Sequence, residues 1–318
     1  MTEKNSSVDY PDSQALLNQI VLEYIQDKKR KRLWRWVKRI AISLLILLVA
    51  YQLVSMHGEE MSARTKPHVG LIEVKGSIFD NQAADADHFN KGLNKAYENK
   101  ELKAVMLRID SPGGSPVQAD YMYNTIRYYR QKHPEIKIYA VCVDICASAA
   151  YYVAAATDEI YANPSSMVGS IGVLYNGFGF VDAMQKLGVS RRLQTAGRNK
   201  GFLDQFSPVD VAQQKLLQTM LDLVHRQFID KVKAGRGKRL HIDDDTFSGL
   251  FWAGIQAKER GLIDGFASPG QLARDIIKID RIVDYTHQQS VLERVAKNMG
   301  TAMVDQLPMA LGMKSGIQ

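Results

Sequence analysis

Ile136-Lys-Ile-Tyr-Ala-Val-Cys-Val143 runs without a break into Asp144-Ile-Cys-Ala-Ser-Ala-Ala-Tyr-Tyr152. The first eight residues are a short apolar run of the kind that fills a buried strand, and Ala147–Ala156 is dominated by alanine and reads as a helix. Upstream, His68–Val74 and Ala104–Ile109 are two more strand-like runs. Asp85–Tyr97 and Pro116–Lys132 have helical spacing, the second opened by a proline in its first turn. Downstream, Val189–Gln194 reads as a further strand. Pro208–Lys233 reads as a long helix with Leu216, Leu217, Met220, Leu221, Val224, Phe228 and Val232 on one face. Strands alternating with helices predict an α/β domain with a mostly parallel sheet.

The remaining bounds come from composition. A chain of 318 residues, 46% hydrophobic and 24% charged with two cysteines, is no disordered tail, collagen-like fibre or disulfide-stapled miniprotein. Its net charge of +7 is uneven. Residues 1–39 hold nine Lys/Arg against five Asp/Glu, and from residue 40 onward 32 basic residues face 29 acidic ones. Eight of the cations lie between Lys28 and Arg39 with no acid among them. So local a charge excess speaks of a membrane flank and against a nucleic acid partner.

Ile40–Met56 (IAISLLILLVAYQLVSM) follows that block with 17 uncharged residues, preceded by Trp34 and Trp36. At about 1.5 Å per residue it just crosses a hydrocarbon core of about 30 Å. The positive-inside rule places residues 1–39 in the cytoplasm and the chain beyond about residue 57 outside the inner (cytoplasmic) membrane. Residues 28–56 are then the lipid-contacting part. Leu16, Leu17, Ile20, Val21, Tyr24 and Ile25 form an apolar stripe in the leader. The expected division is a leader at 1–39, an anchor at 40–56, a linker at 57–66, a catalytic domain at 67–280 and a tail at 281–318. The tail contains an amphipathic piece, Val291–Val304.

Three stretches can carry chemistry. Arg108-Ile-Asp-Ser-Pro-Gly-Gly-Ser115 lies between a strand and a helix. Its glycines permit positive φ and can leave N–H groups aimed at an anionic oxygen, although an ordinary turn has the same look. Ser148 stands at the start of a helix, either as an exposed nucleophile or as an N-cap. Thr195-Ala-Gly-Arg-Asn-Lys-Gly201 is a polar loop whose Lys200 is either surface or a base. The histidines at 57, 68, 88, 133, 225, 241 and 287 form neither an HExxH pattern nor a metal cluster with cysteine, so no metal and no cofactor is expected. Cys142 and Cys146 stand about 13 Å apart on an extended strand, too far for a disulfide.

Taken in order, the SPGGS turn, the Ala147-Ser148-x-x-Tyr-Tyr segment, Met167-Val-Gly-Ser-Ile-Gly-Val173, the Gly197–Lys200 loop and Gly249–Asp264 resemble the S49 serine peptidases of the signal peptide peptidase A group. The resemblance covers roughly residues 68–270. It implies a ClpP/crotonase-like α/β fold and a Ser–Lys dyad with Ser148 as nucleophile, Lys200 as base and Ser170 orienting the lysine. The implied oxyanion donors are the N–H groups of Gly114 and Ala149. The family commonly has Ser-Gly-Gly where this chain has Ser148-Ala149-Ala150; alanine supplies the same N–H. The resemblance also implies apolar peptide substrates, such as signal-peptide remnants, and ring assembly in which the serine and lysine of one site can come from neighbouring subunits. Physically, a free lysine with a pKa near about 10.4 becomes a usable base when burial disfavours its ammonium form. Two other readings compete: a crotonase-type acyl-CoA enzyme, which needs carboxylates beside the turns, and a non-catalytic scaffold on the same fold.

Overall fold

The structure, a computed structural model, describes residues 13–287. Val291–Val304 therefore lies outside the described residues. The chain divides into two units, residues 1–62 and 63–318. A single helix, α1 (Ser13–Arg64), makes up the described part of the first. Its apolar side chains from Ile40 to Val49 are largely exposed, as are Trp34 and Trp36. Among the described residues no helix is long and apolar enough to cross a membrane. The expected span Ile40–Met56 includes residues 50 and 52–56, whose side chains lie outside the described set.

The second unit is the expected α/β domain. Its chain order is β1 (His68–Lys75), α2 (Ala86–Tyr97), β2 (Leu102–Ser111), α3 (Pro116–Lys132), β3 (Lys137–Ala147), α4 (Ala149–Ala154), β4 (Glu159–Ala162), β5 (Met167–Gly169), α5 (Val181–Lys186), α6 (Val211–Arg236), β6 (Phe251–Ala253), α7 (Gly254–Glu259), β7 (Gly265–Phe266) and β8 (Ile282–Asp284). The sheet runs β6-β5-β3-β2-β1-β8, with β4 and β7 branching from β3. All pairs are parallel except β5–β6. Parallel strands covered on both faces read as continuous apolar runs, as β2 and β3 do. Phe89 and Leu93 of α2, Met122 and Ile126 of α3 and the whole of α4 pack into one buried cluster with the strands. Val69, Met106 and Val141 face the other side, against Leu272 and Ala273.

Local chemistry sets the helix starts. Asp85 accepts from the His88 N–H at 2.7 Å, and Ser115 caps α3 ahead of Pro116. Asp210 accepts from the N–H groups of Ala212 and Gln213, so α6 begins at Val211, three residues after the expected Pro208.

Two readings are corrected. Val189–Gln194 is irregular and exposed, not a strand. The Val189 N–H closes α5 by donating to the Met184 carbonyl at 2.9 Å, and the residues beyond it pair with no strand among those described. The two cysteines are also closer than an extended strand allows. Cys142 lies opposite Ile109 and Cys146 opposite Ser111, so four positions on β3 match two on β2. The strand bulges at residues 143–145, where the Ser166 hydroxyl donates to the Cys142 and Val143 carbonyls. This brings the two buried thiols side by side; burial and then the neighbouring Cys142 raise the Cys146 thiol well above its ordinary value.

Arg236 on α6 is buried and makes a two-pronged ion pair with Asp264, at 2.7 and 3.0 Å. Arg239 adds a third bond at 3.1 Å. Burial pushes the Asp264 carboxyl up, but the Arg236 hydrogen bond and charge, the Ile160 N–H and Arg239 together hold it below its ordinary value. Asp264→Ala leaves a buried guanidinium unpaired and should cost about 3–5 kcal/mol of stability, read by thermal or urea denaturation. The wild-type margin over this variant should be complete above the unfolded carboxylate pKa of about 4 and shrink as pH falls through the lower folded value. A margin independent of pH from 7 to 3 would contradict this assignment.

Candidate active site

β3 changes neighbours at its bulge. Before it, Tyr139–Cys142 pair with β4; after it, Ile145–Ala147 pair with β5. Ser148 follows at once, at the N-cap position of α4, with φ 55° and ψ −126°. A serine in the left-handed region costs about 1–3 kcal/mol and persists only where its surroundings over-determine it. Here its N–H donates to the Gly169 carbonyl at 2.8 Å and its carbonyl accepts from the Tyr152 N–H at 3.0 Å. Its side chain caps nothing in the helix, so the N-cap reading does not account for it.

The glycine turn lies against this serine. A Cβ on Gly113 would stand 2.7 Å from Ser148 Cβ and 2.8 Å from Ala149 N. The turn is held from behind: Ile78 N–H donates to the Gly113 carbonyl at 2.9 Å and Ser115 N–H to the Ile78 carbonyl at 2.7 Å. Gly113 N–H donates to the buried Ser111 hydroxyl at 3.1 Å. The Gly114 and Ala149 N–H groups donate to no protein acceptor among the described residues. Two free donors beside an uncapped serine suit an oxyanion that forms on a carbonyl attacked by that serine.

Ser170 lies one step past the Ala147–Gly169 register pair, at the position next to Ser148. It too has positive φ, 53°, and its N–H donates to the Leu250 carbonyl at 2.8 Å. Lys200 is exposed in a turn closed by its own N–H on the Gly197 carbonyl, and its amine makes no hydrogen bond or ion pair with Ser148 or Ser170. Within one chain the structure thus gathers Ser148, Ala149, Gly114 and Ser170, while among the described residues no hydrogen bond or ion pair joins Lys200 to them. The arm carrying it exposes much apolar surface: Leu174 is 82% exposed, Leu187 78% and Phe178 72%. Among the described residues no group of three or more His, Cys, Asp or Glu could hold a metal ion. Sequence reading missed Gly113, whose close approach to Ser148 could have been guessed from the paired glycines but not assigned to one of them.

The profile of peptidase family S49 matches residues 130–278, and that of the Clp proteases matches residues 71–168. A Brucella melitensis protein named Na(+)/H(+) antiporter NhaA is 45% identical over 214 residues, which are 67% of this chain and 27% of that one. A second antiporter of that name, from Brucella abortus, matches to the same extent, so the chain spans about a quarter of the length of these relatives. "Putative protease slr0021" of Synechocystis sp. is 30% identical over 256 residues, 74% of this chain and 89% of its own. The Arabidopsis thaliana protein named "Serine protease SPPA, chloroplastic" is 28% identical over 221 residues, 69% of this chain and 32% of its own.

The close backbone approach is testable by substitution. Gly114 has φ 152°, and a Cβ there would lie 2.2 Å from the Ile78 carbonyl oxygen. Gly114→Ala and Gly113→Ala should each lower stability by about 1–3 kcal/mol through overpacking, Gly114→Ala the more because the nearest atom would stand 2.2 Å away against 2.7 Å at Gly113. Wild-type melting temperatures in both variants would show that the turn is not packed in this way.

Proposed function

The chain belongs to peptidase family S49, and from that premise we propose that it is a membrane-anchored serine endopeptidase whose nucleophile is Ser148 and whose base is Lys200. The observation that carries this reading is the uncapped, positive-φ serine beside two N–H groups that have no acceptor among the described residues. In the proposed reaction the uncharged Lys200 amine takes the Ser148 proton as Oγ attacks a peptide carbonyl. The Gly114 and Ala149 N–H groups hold the oxyanion, each donor contributing about 10²–10³ in rate. The Lys200 ammonium then returns its proton to the leaving amine, and water enters by the same route to release the acyl group. Ser170 orients the lysine.

The exposed Lys200 arm supports a site completed on assembly, when a second copy of the chain covers Leu174, Phe178 and Leu187 and delivers a lysine. The exposed apolar stretch Ile40–Val49 on α1, flanked by Trp34, Trp36 and the cations of Lys28–Arg39, supports a single-pass anchor with the peptidase unit outside the cytoplasmic membrane. Apolar peptides such as signal-peptide remnants are the proposed substrates. A second reading, a related protease that processes membrane proteins, is favoured by the two antiporters in which a similar segment forms part of a much longer chain.

A β-lactone probe should label the detergent-solubilised chain at Ser148, and Ser148→Ala should abolish both labelling and peptide cleavage. Lys200→Ala should remove cleavage without lowering the melting temperature. Cleavage should rise from acid to alkaline pH, because the base acts uncharged. Labelling that survives Ser148→Ala, full activity in Lys200→Ala or an acid optimum would each refute the corresponding assignment.

A further inference from the structure

Behind the candidate active site, three helices meet at one carboxylate. Asp120 lies on α3, little more than one turn after the Gly113–Gly114 turn; Tyr152 lies on α4, four residues after Ser148; Lys231 lies on α6, the helix that follows the Lys200 arm. The Tyr152 hydroxyl donates to Asp120 Oδ1 at 2.8 Å, and Lys231 Nζ meets the same oxygen at 2.8 Å. Asn124 donates to Asp120 Oδ2 at 2.9 Å and accepts from Lys231 Nζ at 2.9 Å. Tyr123 closes the cluster: its hydroxyl donates to the Lys231 carbonyl, and the Lys231 ammonium lies 4.5 Å from its ring centre. Burial raises the Asp120 carboxyl, but the Lys231 and Tyr152 hydrogen bonds and the Lys231 charge outweigh it, so the carboxylate stays charged. Burial and the adjoining carboxylate keep the Tyr152 phenol protonated.

None of these groups reaches Ser148 Oγ through a hydrogen bond. Their effect passes through backbone. Tyr152 N–H holds the Ser148 carbonyl, and α3 begins at the turn that touches Ser148 Cβ. A slide of α3 against α4 would change the separation of the Gly114 and Ala149 N–H groups, and a displacement of about 1 Å can cost about 10² in rate.

We propose that Asp120, Tyr152 and Lys231 form a strut that sets the oxyanion turn against the nucleophile, with Tyr152 and Asp120 as positioning residues of the peptidase reaction. This rests on the reading of Ser148 as nucleophile.

The test compares Tyr152→Phe, Asp120→Asn, the double variant, Lys231→Met and Lys231→Arg in the full-length, detergent-solubilised chain. It uses the rate of β-lactone labelling at Ser148, kcat and KM on an apolar peptide, and the melting temperature. Tyr152→Phe keeps the ring contacts with Tyr123 and Phe228 and removes only the hydroxyl, so it should fold. Assayed well below the melting temperature, Tyr152→Phe and Asp120→Asn should each lose about tenfold or more in kcat and labelling rate with KM within about twofold. The double variant should lose less than the product of the two single losses, because Tyr152→Phe removes the same Tyr152–Asp120 hydrogen bond that Asp120→Asn weakens. Lys231→Arg should retain activity that Lys231→Met loses. Folded variants that label at the wild-type rate, or rates that fall only in step with the unfolded fraction, would overturn the strut. Wild-type protein that is not labelled at Ser148 would overturn the reading beneath it, and the strut with it.

Discussion

The hydrogen bond from the Ser148 N–H to the Gly169 carbonyl, 2.8 Å long, fixes the point on which the site turns. It exists because β3 gives up β4 as its neighbour and takes β5, and the hand-over needs the bulge at residues 143–145. Leaving that bulge, the chain must enter α4 through a left-handed residue. A serine in this conformation is held away from the capping geometry its side chain would otherwise choose. Everything around it accommodates that backbone: a glycine where a Cβ would strike Ser148, a second glycine pressed on Ile78, and a helix whose first N–H meets no acceptor among the described residues.

The cost of such a turn is borne by the packing behind it. Each residue of α4 is buried, and Tyr151 reaches through the core to donate to the Leu262 carbonyl at 2.8 Å. Beyond it the Arg236–Asp264 pair ties α6 to the β7 end of the sheet. Buried pairs of this kind add little net stability over apolar packing but penalise every arrangement that separates them. The Ser148 turn is thus set in a frame with few alternative packings, a frame well suited to hold a strained residue.

How much of this was legible in the sequence depended on the range of the interaction that decides each element. Pro116–Lys132 is legible to the residue because proline and a serine cap are local signals. The start of α6 lies three residues beyond Pro208 because Asp210 supplies the side-chain cap. Val189–Gln194 has a strand's composition, but a strand needs a partner, and partner choice is not written in a single segment. The spacing of the cysteines, though not their burial as free thiols, escapes the sequence for the same reason: the bulge is set by Ser166, more than twenty residues away. The serine and the glycine turn announced themselves as short motifs. The cluster of Asp120, Tyr152 and Lys231 did not, since its members come from three helices and each alone resembles a surface or core residue.

The central claim is that the Lys200 amine reaches the Ser148 hydroxyl once the chain is assembled. An experimental structure of the full-length protein in its assembled, membrane-extracted form measures this directly. The account predicts Lys200 Nζ within hydrogen-bond reach of Ser148 Oγ, about 2.6–3.2 Å and with Ser170 alongside, from the same or a neighbouring copy. An assembly in which each Lys200 remains in solvent, remote from every Ser148, would contradict it.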